Sequence, residues 1–526
     1  MKRLEQLTKL QETQIWDVII IGGGASGLGS AIDAASRGYK TILFEAVDFA
    51  KGTSSRSTKL VHGGVRYLEQ GDISLVREAL KERGLMAKNA QHLVKNQSFI
   101  IPNYNWWGGS FYRFGMTIYD ILAGKLSLGS AKYISRKKTI ELLPTVQQKG
   151  LRSGVFYHDG QFDDSRMAIN LAQTAIENGA CVLNYMKVIR LIKDANHKVM
   201  GIEVEDQESG EKHLVKGNAV INATGVFTNS IMKMNDSVYK KYIVPSQGIH
   251  LVFDKSFLPS DYALMIPKTS DGRVLFAVPW HDKIIVGTTD TLVRKSSLEP
   301  KALESEIEFV LETAQRFLSK KPTRADVLSV FAGLRPLAAP ETKGQNSKEV
   351  SRSHKIIVSG TGLITITGGK WTTYRKMAED AIDKAIEIHN LPKIPCKTEH
   401  LSIHGSKATT TLNRENHLYI YGNDIAEILK LQENEPDLKE KLHPNYEYSM
   451  AEVVWAIRHE MARTTEDILA RRVRLLFLDA RAAIESAEKV SVLLAKELDQ
   501  DEIWIQNQIM AFKTVANGFL LKEFRV

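Results

Sequence analysis

The chain has 526 residues, of which 43% are hydrophobic and 25% charged, a composition that excludes a disordered or fibrous protein and predicts two or three domains. Lysine and arginine outnumber aspartate and glutamate by 70 to 61, and the net charge of +9 fits an anionic substrate, an anionic membrane surface or nucleic acid without distinguishing them. Two distant cysteines, Cys181 and Cys396, argue against a disulfide framework or a structural zinc site and favour a reducing compartment.

No segment has the pattern of a membrane-spanning helix. The most apolar stretches, residues 17–28 and 106–128, are short or interrupted by charges and glycines. The first sixteen residues are amphipathic and lack the apolar run and cleavage site of a secretory signal. We therefore expect a soluble protein, or one held at a membrane face without crossing it.

The first strong element is a nucleotide-binding pattern. A continuous apolar run at residues 16–21 predicts a buried parallel strand, and Gly22, Gly24 and Gly27 follow it with the G-x-G-x-x-G spacing. These glycines are expected to allow a tight turn, the approach of a pyrophosphate and close helix packing. A second apolar run ends at Glu45, where the fingerprint needs a carboxylate for a ribose hydroxyl. The pattern predicts a dinucleotide site but does not separate NAD from FAD.

Residues 53–67 combine hydroxyl groups, glycines and cations around a Leu-Val-His-Gly-Gly core. Such a segment can lie along an extended cofactor, with backbone and hydroxyl groups meeting phosphates and ring heteroatoms. A purely solvated loop would not need that core.

Residues 54–69 closely resemble the flavin loop of FAD-dependent glycerol-3-phosphate dehydrogenases. Five further patches occur in the order typical of this family, at residues 220–225, 248–252, 285–290, 332–337 and 367–376. Residues 451–480 are similar to the family's helical C-terminal domain, whereas residues 1–15 and 397–448 match less clearly.

The resemblance implies an α/β fold with a discontinuous Rossmann-like FAD domain of the glutathione-reductase type, an antiparallel-sheet substrate domain and a helical C-terminal domain. The FAD-binding domain would take residues 15–75, 163–230 and 341–390, the substrate-binding or cap domain residues 76–162 and 240–340, and the C-terminal domain residues 396–526.

The same resemblance implies oxidation of sn-glycerol 3-phosphate to dihydroxyacetone phosphate, with the hydride passing to flavin N5 and the electrons to a membrane quinone. It implies FAD as the cofactor, a small phosphorylated alcohol as the substrate, no metal and no nucleic-acid partner. It also implies a cytoplasmic protein held peripherally at the inner face of the cell membrane, and it leaves a homodimer open.

The fingerprint and the resemblance together predict the residues that contact FAD. They are Gly22, Gly24, Ser26, Gly27, Glu45, Thr53, Ser54, Ser55, Ser57, Lys59, Leu60, His62, Gly63, Gly64, Val188, Ala223, Thr224, Gly225, Gly333, Gly369, Lys370 and Thr372.

His250, Arg335 and Lys370 are the predicted catalytic residues, and with Arg66 and Tyr67 they are predicted to bind the substrate. Arginine offers a planar fork of donors for phosphate, lysine a positive charge beside a helix start, and histidine a pKa near working pH. Each has a structural alternative: a satisfied core histidine, an arginine ion pair or a lysine that caps a turn. Arg66 has the strongest structural alternative.

Three other functions stay open at this point. The first is a glycerol-3-phosphate oxidase that uses oxygen, although the extra inserted segment associated with such oxidases is not evident. The second is an amine or amino-acid oxidase of the same fold, and the third is a non-catalytic dinucleotide-binding sensor. A sensor would not need the polar set of His250, Arg335 and Lys370.

Two features predict contact with an anionic membrane surface. Residues 106–116 group aromatic side chains with a cation, as interfacial segments do. Five arginines near the C-terminus are expected to add basic surface: Arg458, Arg463, Arg471, Arg472 and Arg474.

Overall fold

The computed structural model describes residues 1–64, 72–105, 108–239, 241–339, 354–406 and 414–521, with the backbone alone at 108–114 and 125. The strands in these residues are β1 Ile15–Ile21, β2 Thr41–Phe44, β3 Leu60–Val61, β4 Lys95–Asn103, β5 Lys132–Ser135, β6 Ser153–Gln161, β7 Cys181–Leu183, β8 Met186–Lys193, β9 Val199–Asp206, β10 Lys212–Asn222, β11 Ile243–Asp254, β12 Ala263–Ile266, β13 Leu275–Trp280, β14 Lys283–Gly287, β15 Thr291–Leu292, β16 Ser329–Ala338, β17 Lys355–Val358 and β18 Ile364–Thr367.

The helices are α1 Arg3–Glu12, α2 Ala25–Arg37, α3 Ile73–Asn89, α4 Gly108–Ala123, α5 Arg136–Leu142, α6 Asp164–Glu177, α7 Thr228–Asn235, α8 Glu304–Phe317, α9 Tyr374–His389, α10 Ile425–Asn434, α11 Met450–Glu460, α12 Leu475–Leu478, α13 Ala480–Leu498 and α14 Glu502–Ala516. In the described part of the chain, no helix is both long and apolar enough to cross a membrane.

The first sheet has a parallel centre in the order β18-β10-β1-β2-β7. Its middle strand β1 is buried along Val18–Ile21, which explains the uninterrupted apolar run. Parallel strands end at the same edge of a sheet, so the segments that follow β1, β2 and β10 lie side by side. Those segments contain Gly22, Glu45 and Ala223.

The second sheet has ten strands and is antiparallel except where β4 pairs with β12. Its longest ladder joins β11 to β16, from the pair Ile243–Ala338 to the pair Val252–Ser329. This register puts His250 opposite Phe331, with both side chains on one face of the sheet. The short strand β3 pairs with β6 in this sheet, so the predicted boundary at residue 75 falls after the second sheet has begun.

The helices α10–α14 form the C-terminal part of the fold. Their buried side chains belong to the same hydrophobic core as those of α2, α6 and α9, so this part is packed directly against the first sheet's helices. The predicted fold class is therefore confirmed: a Rossmann-like sheet, a largely antiparallel second sheet and a helical C-terminal part.

The prediction of a basic C-terminal surface is wrong for most of its arginines. Arg471, Arg472 and Arg474 are at most 2% exposed. They donate to carboxylates far away in the sequence, chiefly Asp48 and Asp164. A buried cation needs such a partner, and only the tertiary fold supplies one. The other two predicted arginines, Arg458 and Arg463, form ion pairs with Glu497 and Glu208.

The aromatic segment predicted at 106–116 lies mostly outside the described side chains. From Gly108 onward its backbone forms the start of α4.

Candidate active site

A long pocket of about 560 Å³ lies where the two sheets meet. Its walls include most of the predicted site residues: Gly22, Gly24, Ser26, Glu45, Thr53, Ser54, Ser57, Leu60, His62, Val188, Ala223, Thr224, Gly225, His250, Gly333, Arg335, Gly369, Lys370 and Thr372. Five of the predicted cofactor contacts are not in its walls, namely Gly27, Ser55, Lys59, Gly63 and Gly64. Arg66 and Tyr67 lie outside the described residues.

One end of the pocket is the turn between β1 and α2. Gly22 has φ of +113°, a conformation that side chains disfavour, and a Cβ on Gly27 would lie 1.9 Å from the Gly22 carbonyl oxygen. The free N–H groups of α2 begin here, and the Ala25 N–H donates to Ser54 Oγ at 3.0 Å. The Glu45 carboxylate accepts from the Gly23 N–H at 2.6 Å. This end has the donors and the positive helix dipole that an anionic pyrophosphate requires.

The predicted flavin loop runs along one wall. Thr53 Oγ1 donates to the Leu334 carbonyl at 2.6 Å, and Trp371 Nε1 donates to the Ser54 carbonyl at 2.9 Å. Further along, Thr372 Oγ1 donates to the His62 carbonyl at 3.3 Å. These bonds hold the loop between β16 and the segment that precedes α9.

Lys59, which is predicted to contact FAD, is not among the residues that line the pocket. Its side chain is 0% exposed, and Nζ donates to the Ser55 carbonyl and to Asp164 Oδ2, each at 2.6 Å. Burial is the largest influence on this ammonium and lowers its pKa to about 7. The ion pair, which joins residues 105 positions apart, turns the side chain away from the pocket.

Besides Lys59 and Gly27, three predicted cofactor contacts lie outside the pocket walls, and the structure gives each a partner or a backbone conformation of its own. The Ser55 carbonyl accepts from Lys59, and the Gly63 N–H donates to the Tyr119 hydroxyl at 2.7 Å. Gly64 has φ of +79°, which favours glycine.

His250 lies at the other end of the pocket, on β11. Its ring stacks on Phe331 with centroids 4.9 Å apart, and Nε2 is 2.9 Å from Thr58 Oγ1. No described residue forms a hydrogen bond with Nδ1. Burial holds the pKa of His250 well below its usual range, and the charges of Lys59 and Arg335 lower it further. The ring is therefore neutral at pH 7 and can accept a proton.

Arg335 lies on the neighbouring strand β16 and reaches toward β11. Its Nη2 donates to Thr288 Oγ1 at 3.0 Å, and Nη1 lies 3.4 Å from Asp290 Oδ1. A Cβ on Gly248 would lie 2.4 Å from Nη2, so the guanidinium occupies space that a side chain would fill. Its side chain keeps 28% of its surface exposed, in the pocket wall.

Lys370 follows two glycines with positive φ, Gly368 at +74° and Gly369 at +78°. It is half-buried and lines the pocket just before the turn that leads into α9. The turn and the positive charge together suit an anionic group.

Several residues at this end were absent from the sequence prediction. Thr58 contacts His250, Thr288 and Asp290 contact Arg335, and Gly248 and Gly287 leave room for the two side chains. All five belong to segments that the resemblance covers, and a glycine two residues before a predicted catalytic histidine was the available signal. Which side chain each glycine makes room for depends on strand register, which the sequence does not reveal.

The residues present fit a dinucleotide cofactor. The glycine cradle, the helix N-terminus and Glu45 suit the adenosine diphosphate portion, and the buried His250 and the cation Arg335 lie at the far end. A Rossmann-like sheet with such a pocket at the carboxyl ends of its strands is the arrangement of a dinucleotide-binding protein.

Comparisons with known proteins narrow this class. Residues 17–375 match the family model described as FAD dependent oxidoreductase, and residues 359–503 match the C-terminal domain of alpha-glycerophosphate oxidase. The mitochondrial glycerol-3-phosphate dehydrogenase of Mesocricetus auratus is 39% identical over 96% of this chain and 74% of that protein. Glycerol-3-phosphate dehydrogenase SDP6 of Arabidopsis thaliana is 39% identical over 96% of this chain and 86% of that protein.

The fold comparison agrees. The X-ray structure of the glycerol-3-phosphate dehydrogenase from Bacillus halodurans, complexed with FAD, matches with a TM-score of 0.81 and 28% identity, covering 100% of this chain and 99% of that one. This chain belongs to the FAD-dependent glycerol-3-phosphate dehydrogenases. The resemblance carried by the sequence motifs is thereby confirmed.

Proposed function

We propose that the far end of the pocket oxidises glycerol 3-phosphate to dihydroxyacetone phosphate through His250, Arg335 and Lys370, and that the electrons then pass to a membrane quinone. The observation that carries the proposal is the meeting of a neutral, buried histidine and an arginine on adjacent strands of one pocket. FAD supplies the hydride acceptor when it is bound.

Arg335 and Lys370 hold the substrate in this proposal. A phosphate monoester is a dianion, and an arginine fork can give it two parallel hydrogen bonds. Thr288 and Asp290 hold the guanidinium toward β11, so it is oriented before the substrate arrives. Lys370, which also lines the pocket, adds a second positive charge.

His250 takes the proton of the substrate hydroxyl. A general base must be unprotonated to act, and burial keeps this ring neutral. The positive charge of Arg335 then favours the alkoxide that forms as the proton leaves. In this proposal His250 is the base, and Arg335 and Lys370 remain protonated.

The cofactor-binding residues act by holding and orienting. In this proposal the turn of Gly22, Gly24 and Ser26 receives the pyrophosphate, and Glu45 and Val188, which line the same pocket, contact the adenosine. Leu60, His62 and Thr372 also line the pocket, and in this proposal they help to exclude water from the bound flavin.

Membrane attachment is supported by a surface around α4, β5 and α5. Ile121 is 72% exposed and Tyr133 is 51% exposed, and the Asp120 carboxylate ties the two segments together through the Ala131 N–H. Exposed cations continue this surface: Lys132, Arg136, Lys137 and Lys138. Apolar side chains beside lysine and arginine suit an anionic lipid surface, as expected for a peripheral protein at the inner face of the cell membrane. A homodimer stays a prediction.

The reaction is tested by following the flavin absorbance of the holoenzyme without oxygen. Glycerol 3-phosphate should bleach the flavin, whereas glycerol and amino acids should not. Arg335→Gln removes a charge-assisted contact of about 1.5–3 kcal/mol and should weaken substrate affinity about 10- to 150-fold. His250→Asn should lower the reduction rate about 100-fold or more. A flavin that is bleached by an amino acid instead, or by neither compound, would contradict the proposal.

The electron acceptor is tested on the reduced enzyme. A soluble quinone should reoxidise the flavin much faster than oxygen does, and rapid release of peroxide in air would favour an oxidase.

Membrane binding is tested with two double variants. Lys137→Glu with Lys138→Glu should reduce binding to anionic vesicles but not alter flavin reduction. The charge-matched pair Lys430→Glu with Lys439→Glu, on another exposed surface, should leave vesicle binding unchanged.

A further inference from the structure

A buried ion pair lies beneath the pocket wall that carries Thr58. Thr58 lines the pocket, whereas the side chain of Lys59, which has φ of +63°, is directed away from it toward Asp164. Lys59 Nζ donates to two buried acceptors, the Ser55 carbonyl and Asp164 Oδ2. The pair therefore fixes the chain at the residue that follows Thr58.

Asp164 also binds the residue that precedes Thr58. Its Oδ2 atom also accepts from the Ser57 N–H at 3.0 Å and from Ser57 Oγ at 2.7 Å. Its Oδ1 atom accepts from Arg474 Nη2 at 3.0 Å, and the residue begins α6, where the helix dipole favours a carboxylate. One carboxylate thus binds the residues on both sides of Thr58.

Thr58 connects this arrangement to His250. The Thr58 hydroxyl lies 2.9 Å from His250 Nε2, and the ring face is covered by Phe331. Lys59 Nζ is 5.2 Å from the centroid of that same phenyl ring. The histidine is thus held at one edge by the Thr58 hydrogen bond and on one face by the Phe331 ring, and the Lys59–Asp164 pair anchors the segment that carries Thr58.

A buried ion pair contributes little net stability, since desolvation offsets the attraction. The main effect of the Lys59–Asp164 pair is therefore to fix the position of the chain around Thr58. We propose that Lys59 and Asp164 are positioning residues that fix the Thr58 hydroxyl, and that Thr58 in turn holds the ring of His250 in the orientation that accepts the substrate proton. This inference rests on the proposed role of His250 as the base.

The test compares Thr58→Val, which keeps the shape and removes the hydroxyl, with Thr58→Ser, which restores it. In anaerobic rapid mixing, Thr58→Val should lower the limiting rate of flavin reduction about tenfold or more, because the base is no longer oriented. The dissociation constant of glycerol 3-phosphate and the FAD content should stay near those of the wild type. Thr58→Ser should recover most of the rate. Thr313→Val, which removes a buried hydroxyl on α8 that bonds its own helix, is the matched control.

Lys59→Met tests the ion pair itself and should show the same loss of rate with unchanged substrate affinity. Because this variant can fail to fold, a second measurement is made on Thr58→Val without turnover. In holoenzyme labelled with 15N-histidine, and with the His250 signal assigned through His250→Asn, the ring nitrogen shifts should change in Thr58→Val and return in Thr58→Ser.

The outcomes separate this inference from the proposed function. If Thr58→Val reduces its flavin at the wild-type rate, or loses substrate affinity as much as rate, the positioning role is overturned. Unchanged His250 nitrogen shifts in Thr58→Val would overturn it as well. If His250→Asn itself retains the wild-type rate, the proposed base is wrong, whatever the Thr58 variants show.

Discussion

Gly27 lies so close to the preceding turn that a methyl group cannot be added without moving backbone. The added Cβ would stand 1.9 Å from the Gly22 carbonyl oxygen, with no flexible side chain to move aside. Gly27→Ala should therefore cost about 3 kcal/mol or more at the cofactor turn, which is about 100-fold or more in FAD affinity.

The measurement is the flavin-to-protein absorbance ratio during titration with FAD. Gly360→Ala is the control, because a Cβ there meets nothing within 4 Å. Equal FAD affinity in the Gly27 variant and the wild type would contradict the close packing of turn and helix.

The neutral state of His250 predicts a pH dependence. Its pKa is held well below the ordinary value of about 6.5, chiefly by burial. A base acts only when unprotonated, so protonation of His250 should not lower the rate of flavin reduction between pH 8 and 6.5 and should lower it only below pH 6.5. Stopped-flow reduction across this range measures it. A decline centred at or above pH 6.5 would show that the acting base does not have the lowered pKa of this histidine.

At the scale of elements, His404 joins the end of α6 to the segment before α10. Its Nδ1 contacts the Glu177 carboxylate, and Nε2 lies 2.8 Å from Asp424 Oδ2. Burial opposes protonation, but the two carboxylates outweigh it and raise the pKa of His404 to about 9. The protonated ring thus acts as a bridge between two separate parts of the chain.

The contribution of His404 to the free energy of unfolding depends on pH because its pKa differs between the folded and unfolded states. The folded-state pKa lies above the unfolded value of about 6.5, so the contribution is complete below pH 6.5 and is lost as the pH rises toward 9. It amounts to about 2–3 kcal/mol, allowing for the partial exposure of Glu177. His404→Gln should lower the free energy of unfolding by this amount at pH 6 and by little above pH 9. A variant equally destabilised at both pH values would contradict the bridge.

At the scale of the whole molecule, a buried ionic cluster attaches the C-terminal helices to the first sheet. Arg472 and Arg471 both donate to Asp48, which follows β2, and Arg166 of α6 pairs with Glu460 at the end of α11. All five side chains are at most 3% exposed. Burial opposes the ionisation of Asp48, but the charges of Arg472 and Arg471 outweigh it and lower its pKa to about 2.

Removing Arg472 would leave the buried Asp48 carboxylate with Arg471 as its remaining partner, so its charge would be only partly compensated. Arg472→Met should destabilise the protein by about 3–5 kcal/mol, whereas Arg458→Met, which breaks an exposed pair with Glu497, should cost about 1 kcal/mol or less. Thermal unfolding of the two variants side by side measures the difference. Equal midpoints would show that the cluster does not hold the parts together.

The sequence predicted much of the fold and the cofactor end of the site. The glycine spacing after a buried strand, and the acid after the next strand, are local features that one stretch of chain displays in full. Gly22, Gly24 and Glu45 accordingly line the pocket. The catalytic end was predicted through family motifs, and His250, Arg335 and Lys370 also lie in the pocket walls, although their roles stay proposals.

The sequence by itself determined the strand-and-glycine pattern, the family and the identity of the residues available for chemistry, because these depend on neighbours along the chain. Only the tertiary structure decided that Lys59 turns inward to Asp164, that Thr58 meets His250, and that three C-terminal arginines are buried. A lysine or arginine has the same local pattern whether it faces water or a distant carboxylate. Whether such a side chain is exposed or buried depends on which partner the fold brings within hydrogen-bonding distance and on how much water the fold excludes around it.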